Sequence, residues 1–124
     1  MKETLIIIGG IYTVGLIIFH LLFWRIFDWP KTLEALNYIN RSTMQVLNIS
    51  ITFIFCIFAY VAFAHTDELL NTQLGKSLCV LIACLWVFRA GQQVLFYKLE
   101  HKASIGLTIY FLLGAALYSL PVVI

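Results

Sequence analysis

The chain has 124 residues, 62% of them hydrophobic and 11% charged, and a formal net charge of +2. A soluble domain carries roughly 45–50% apolar and about 25% charged residues, and at this length it buries only roughly two-thirds of its surface. The composition therefore excludes an ordinary soluble globule in favour of lipid as the solvent. The small net charge, with its basic residues in loops and not along one stripe, excludes nucleic acid as a partner.

The first apolar run covers residues 5–24. A membrane helix needs about 20 such residues. Lys2 followed by a greasy stretch resembles a signal peptide, but the run is too long for an h-region and no small-residue cleavage site follows it, so it reads as a retained span. Thr13, His20 and Trp24 share a stripe on it. Gly9, Gly10 and Gly15 lie in the opposite half and suit close helix approach.

The first connection, residues 25–44, holds Asp28, Trp29, Pro30, Lys31, Glu34 and Arg41. Pro30 suits a helix first turn with Asp28 near the N-cap. Leu33, Leu36 and Ile39 or Asn40 mark one face of a short interfacial helix, expected to run into the second span without a break. The second span, 46–64, is uncharged. Arg41, Gln45, Asn48, Thr52, Cys56 and Tyr60 recur at steps of three or four, so they are expected along one face turned into the bundle. Hydrogen bonding between helices is the plain reading of such a stripe.

After a connection with Asp67, Glu68, Asn71 and the turn residue Gly75 comes the third span, 77–97, interrupted by Arg89, Gln92 and Gln93. Arg89, Gln93 and Tyr97 lie at intervals of four. The guanidinium sits about 12 Å inside the span end at about 1.5 Å per residue. A snorkelling arginine needs no such polar company. The connection 98–103 is so short that the third span and the fourth, 104–124, form an antiparallel hairpin. In the fourth span Gly106, Tyr110, Gly114 and Tyr118 form a small–large packing stripe, and Pro121 falls in the last turn.

The expected fold is all-α: one integral membrane domain over residues 1–124, a four-helix bundle running up-down-up-down. A barrel is excluded because it needs roughly eight or more strands of alternating pattern. Arg25, Lys31 and Arg41 in loop one and Lys98 and Lys102 in loop three outnumber Lys2 and Lys76 on the other side. The positive-inside rule then puts loops one and three in the cytoplasm and both termini outside, in a membrane read as a bacterial inner membrane. Trp24, Trp29, Tyr38 and Tyr97 fall at the cytoplasmic interface. The N-x-S matches at Asn40 and Asn48 lie on that side or in the membrane and are discounted for glycosylation.

No span contains an Asp or Glu, and an arginine in lipid without a fixed partner calls for an anion. The expected site is a polar layer near the cytoplasmic side that takes an anionic head with an apolar tail. Arg89 and Arg41 hold the anion, Gln45, Asn48 and Gln93 orient it, and His20 and Tyr97 complete the layer. No nucleophile–base pair, phosphate loop or metal spacing accompanies these residues, so the reading leans away from an enzyme. Cys56, Cys79 and Cys84 lie in apolar runs without a CxxC pattern and read as small hydrophobes. His20, His65 and His101 do not fall mid-span on facing helices, so haem is not expected, nor any other cofactor. Proton-coupled transport is disfavoured by the absence of an intramembrane carboxylate. A small transporter or an accessory subunit of a larger membrane complex are the competing classes, and the expected partners are the bilayer and either copies of this chain or another membrane protein.

Three features resemble the MAPEG family, the membrane-associated eicosanoid and glutathione enzymes. The size and four-span plan are similar, with a long first cytoplasmic loop and a short third one, and so is the termini-outside orientation. Arg41, Gln45 and Asn48 occupy the spacing of the family's Arg-x3-Asn-x2-Glu pattern, with Gln45 in place of Asn and Asn48 in place of the acidic residue. Arg89 and Tyr97 look like the family's third-helix Arg and the Tyr two turns later. Several further basic residues of the family's glutathione site have no counterpart. The resemblance implies a trimer with sites between subunits, binding glutathione or a lipid carboxylate.

Overall fold

Uninterrupted apolar sequence in lipid has to satisfy its own backbone, which only helices do segment by segment. The computed structural model, which describes residues 1–124, is accordingly all-α with no strand. Four helices are long and apolar enough to cross a membrane, so the chain is a multi-pass membrane protein. They are α1 (Lys2–Leu21), α4 (Tyr38–Ala64), α6 (Gln73–Gln92, prolonged by a π-helical turn at Gln93–Tyr97) and α7 (Lys102–Val123). Short elements join them: α2 (Phe23–Ile26), α3 (Trp29–Thr32), a 3-10 turn at Leu33–Ala35, and α5 (Thr66–Asn71). The expected spans all lie within or across these helices. The second helix starts well before residue 46 and carries Arg41 on its first turns.

Contacts group the chain into two compact units, Met1–Gly9 with Val61–Ile124, and Gly10–Tyr60. In the first, α6 and α7 form the expected hairpin. Cys79, Ile82, Ala83, Trp86 and Ala90 are among the buried positions of α6, and Phe111, Gly114, Ala115, Leu117 and Tyr118 among those of α7. Alanine and glycine on these faces suit close approach where lipid offers no hydrophobic drive to associate. Trp86 stacks on Phe111 with ring centroids 5.8 Å apart and planes 5° from parallel. Ile6, Ala62, Leu69 and Cys79 form a buried cluster flanked by Val61, Leu70 and Val122. The Tyr118 hydroxyl donates to the Gly9 carbonyl at 3.0 Å. A Cβ on Gly9 would lie 3.2 Å from that ring, so glycine permits this approach.

Gly75 is not a turn residue. It lies in the first turn of α6, where its N–H donates to the Thr72 hydroxyl at 2.9 Å and completes an N-cap. A Cβ there would sit 2.2 Å from the Glu68 carbonyl oxygen. Glycine is required because the backbone of α5 lies directly against it.

In the second unit α1 and α4 run antiparallel, as the pairings of His20 with Asn48 and of Trp24 with Gln45 show. Their connection departs from expectation twice. Asp28 occupies the N-cap position of α3, as expected, but its side chain makes no cap hydrogen bond. It takes the left-handed conformation at φ 49°, and Pro30 follows in the first turn of α3. The Thr32 hydroxyl ties the corner by donating to the carbonyls of Phe27 and Asp28. The interfacial segment also does not run on into the second span. Leu36 is extended, and the Asn37 side chain accepts from Asn40 N–H at 2.8 Å, so α4 has a start of its own. Asparagine competes for the backbone in this way and favours a fresh helix start over continuation.

Candidate functional site

Polar side chains gather in two sets, one in each unit. The first closes the α6–α7 hairpin. α6 ends in the π turn, and Lys98 then reverses the chain at φ 57°. The Ser104 hydroxyl, in the first turn of α7, donates to the Lys98 carbonyl. Gln93 Nε2 donates to Ser104 Oγ at 3.0 Å, and Arg89 Nη1 donates to Gln93 Oε1 at 3.2 Å. The order is dictated by chemistry. A carbonyl only accepts, so the serine proton points to Lys98 and its lone pair takes the amide N–H. The amide oxygen is thereby turned to the guanidinium. Gln93 is 2% exposed, which makes the network a buried one.

Arg89 is half-buried and lies against two rings, its Cζ 4.7 Å from the Phe111 centroid and 5.9 Å from that of Tyr97. Cation–π contacts of this kind are worth about 0.5–2 kcal/mol, the upper end when desolvated. They hold the guanidinium without neutralising it. A guanidinium has five N–H donors, and the hydrogen bond Arg89 makes within the protein is the one to Gln93. The ion pair of this chain is elsewhere, between His65 and Glu68 at 2.8 Å. Arg89 is thus a cation in a membrane span with no carboxylate partner. Tyr97 is 62% exposed, so the set opens outward on that side.

The second set joins α1 to α4. Asn48 Nδ2 donates to the His20 carbonyl at 2.9 Å, which fixes the amide; its Oδ1 then accepts from His20 Nδ1–H at 2.7 Å. Nδ1 therefore carries a proton. Phe23 stacks on the ring at 4.4 Å and Phe55 meets it edge-on at 5.2 Å. One turn away Trp24 Nε1–H donates to Gln45 Oε1 at 3.1 Å, and Gln45 Nε2 donates to the Arg41 carbonyl at 3.3 Å. Thr52 returns its hydroxyl to the Asn48 carbonyl at 2.7 Å.

The residues singled out in the sequence thus divide. Arg89, Gln93 and Tyr97 come together in the hairpin; His20, Asn48, Gln45 and the backbone of Arg41 come together between α1 and α4. The stripe expected on the second span holds only in part. Asn48 and Thr52 are buried, but the buried line continues through Phe55 and Ala59, while Cys56 and Tyr60 are exposed. Steps of four overshoot a full rotation by about 40° each, so Tyr60 lies about 120° from Asn48. Alternating steps of four and three stay on the face.

Ser104 and Phe111 belong to the site and were not among the residues singled out. Ser104 carried a weak signal, a hydroxyl just after a very short connection. Phe111 carried none among ten phenylalanines. No three His, Cys, Asp or Glu side chains gather within metal-holding reach. No family model, curated protein or solved structure matches the chain.

Proposed function

We propose that this membrane protein binds an anionic amphiphile through Arg89, at the end of the α6–α7 hairpin that the Lys and Arg distribution assigns to the cytoplasmic side of an inner membrane. The observation that carries the reading is the guanidinium itself, half-buried in a span, held by two rings and one amide oxygen, and unmatched by any carboxylate. Guanidinium recognises carboxylate and phosphate by paired N–H donors. Gln93, oriented by Ser104, keeps one donor engaged and so fixes the plane in which the others present themselves. Tyr97, which is exposed, supplies apolar surface for the part of the ligand next to its charge, while the buried Phe111 backs the guanidinium. The groups around Arg89 hold an anion and offer no activated nucleophile, so the proposal is binding or facilitated passage, not covalent chemistry.

A structural reading is favoured for the second set. His20, Asn48, Trp24 and Gln45 donate to and accept from one another, as residues that join membrane helices do. Arg41 and these partners then set the α1–α4 register.

Native mass spectrometry from mild detergent tests the proposal, with palmitate, dodecyl phosphate and glutathione as probes and a neutral monoacylglycerol as control. Wild type is expected to retain palmitate or dodecyl phosphate over the neutral lipid, and Arg89→Leu to lose that preference. Equal retention by both proteins removes the proposal. Glutathione retained in place of the lipid anions, with a trimeric mass, favours the MAPEG-like reading. A stable foreign subunit favours the accessory role.

A further inference from the structure

The start of α6 carries a second feature, about 20 Å along the axis from Arg89 at about 1.5 Å per residue. Gln73, Lys76, Ser77, Val80 and Leu81, with Val122 of α7, line an open groove of about 660 Å³. Steps of three and four put the α6 residues on one face, and that face changes character along its length. Its first turns offer an amide, an ammonium and a hydroxyl; the next is aliphatic. The volume lies within the roughly 300–1,000 Å³ of small-molecule sites. Lys76 makes no ion pair, and the nearby Glu68 of α5 is engaged by His65. A lysine where an apolar helix enters the bilayer keeps its ammonium at headgroup level while its stem follows the apolar surface.

We infer that this groove seats an anionic phospholipid of the leaflet that α6 enters. The lipid phosphate lies on Lys76, with the Gln73 amide and the Ser77 hydroxyl as further donors, and the first part of an acyl chain follows Val80, Leu81 and Val122. Two observations point to a lipid in preference to a soluble anion. The cationic end is continuous with an aliphatic floor, and residues 73–81 extend about 12 Å along the helix axis, enough for a phosphate, a glycerol and the first methylenes. The groove shares no residue with the Arg89 site.

The test uses the full chain in nanodiscs of equal phosphatidylglycerol and phosphatidylcholine, transferred to mild detergent, with retained lipids counted by native mass spectrometry. Wild type is expected to keep phosphatidylglycerol in preference. Lys76→Gln lowers that preference roughly tenfold, the scale of one hydrogen bond to a charged group. Val80→Trp, which fills the aliphatic half, lowers retention of both lipids. Because the Arg89 site would itself take an anionic lipid, the comparison is repeated in an Arg89→Leu background. There Lys76→Gln is expected to lower the remaining preference by the same factor, so failure here is distinguishable from failure of the Arg89 proposal. Equal lipid retention in wild type and Lys76→Gln overturns the inference. Displacement of the lipid by inorganic phosphate alone assigns the site to a soluble anion and also overturns it. A changed subunit number with unchanged lipid count makes the groove a contact between copies, and the lipid assignment then falls as well.

Discussion

The polar chemistry between α1 and α4 is closed, whereas that between α6 and α7 is open. His20 and Asn48 exchange donor and acceptor, and Trp24 meets Gln45. Each is neutral. In the hairpin the chain of donors runs from Arg89 through Gln93 and Ser104 to the Lys98 carbonyl, and its first member is a cation with donors to spare. Both are polar groups in lipid, where hydrogen bonds between helices average about 0.6 kcal/mol. What separates them is charge balance. A neutral pair is complete when its geometry is satisfied, but a guanidinium remains incomplete until an anion arrives.

The sharpest way to break this contrast is at its two centres. Arg89→Leu is expected to weaken retention of palmitate or dodecyl phosphate by roughly 1.5–3 kcal/mol, the worth of hydrogen bonds to a charged group, with a small net loss of stability because removal of an unpaired charge from the membrane offsets the lost Gln93 bond and ring contacts. Ligand retention and unfolding of the same preparation in detergent report the two quantities together. Asn48→Leu should do the reverse. It strands the His20 Nδ1–H and is expected to cost about 1–2 kcal/mol in unfolding titrations while leaving anion retention at the wild-type level.

Smaller changes sharpen the comparison. Ser104→Ala removes the hydroxyl that orients Gln93, so the amide can turn and Arg89 loses its fixed plane. The expected result is about 1 kcal/mol weaker anion retention, recovered in Ser104→Thr, which keeps a hydroxyl. Gln45→Leu removes the Trp24 bond together with the longer bond from Gln45 to the Arg41 carbonyl and should cost about 0.6 kcal/mol of stability for the bond between helices, with a blue-shifted and more mobile Trp24 fluorescence component as a second readout.

The contrast also accounts for what could be read from sequence. The four spans were legible because lipid admits few alternatives for twenty apolar residues. Arg89 was legible because charge is conspicuous there. The pairing of His20 with Asn48 was not, since it depends on register set by a corner at Asp28 and a fresh helix start at Asn37. The outward drift of Cys56 and Tyr60 follows from helix pitch, which spacing by fours disguises. The π turn at Gln93–Tyr97 leaves no residue pattern at all; it is a backbone solution that brings Gln93 against Ser104.

The bond from Tyr118 to Gly9 bears on the order of assembly. Its partners are 109 positions apart. During synthesis the first turns of α1 can meet Ala62, Leu69 and Cys79 before α7 is made, but the Tyr118 contact has to wait for α7, so this junction closes late. A chain halted before Tyr118 lacks this bond between its first and last helices, although Ile6 can already be packed.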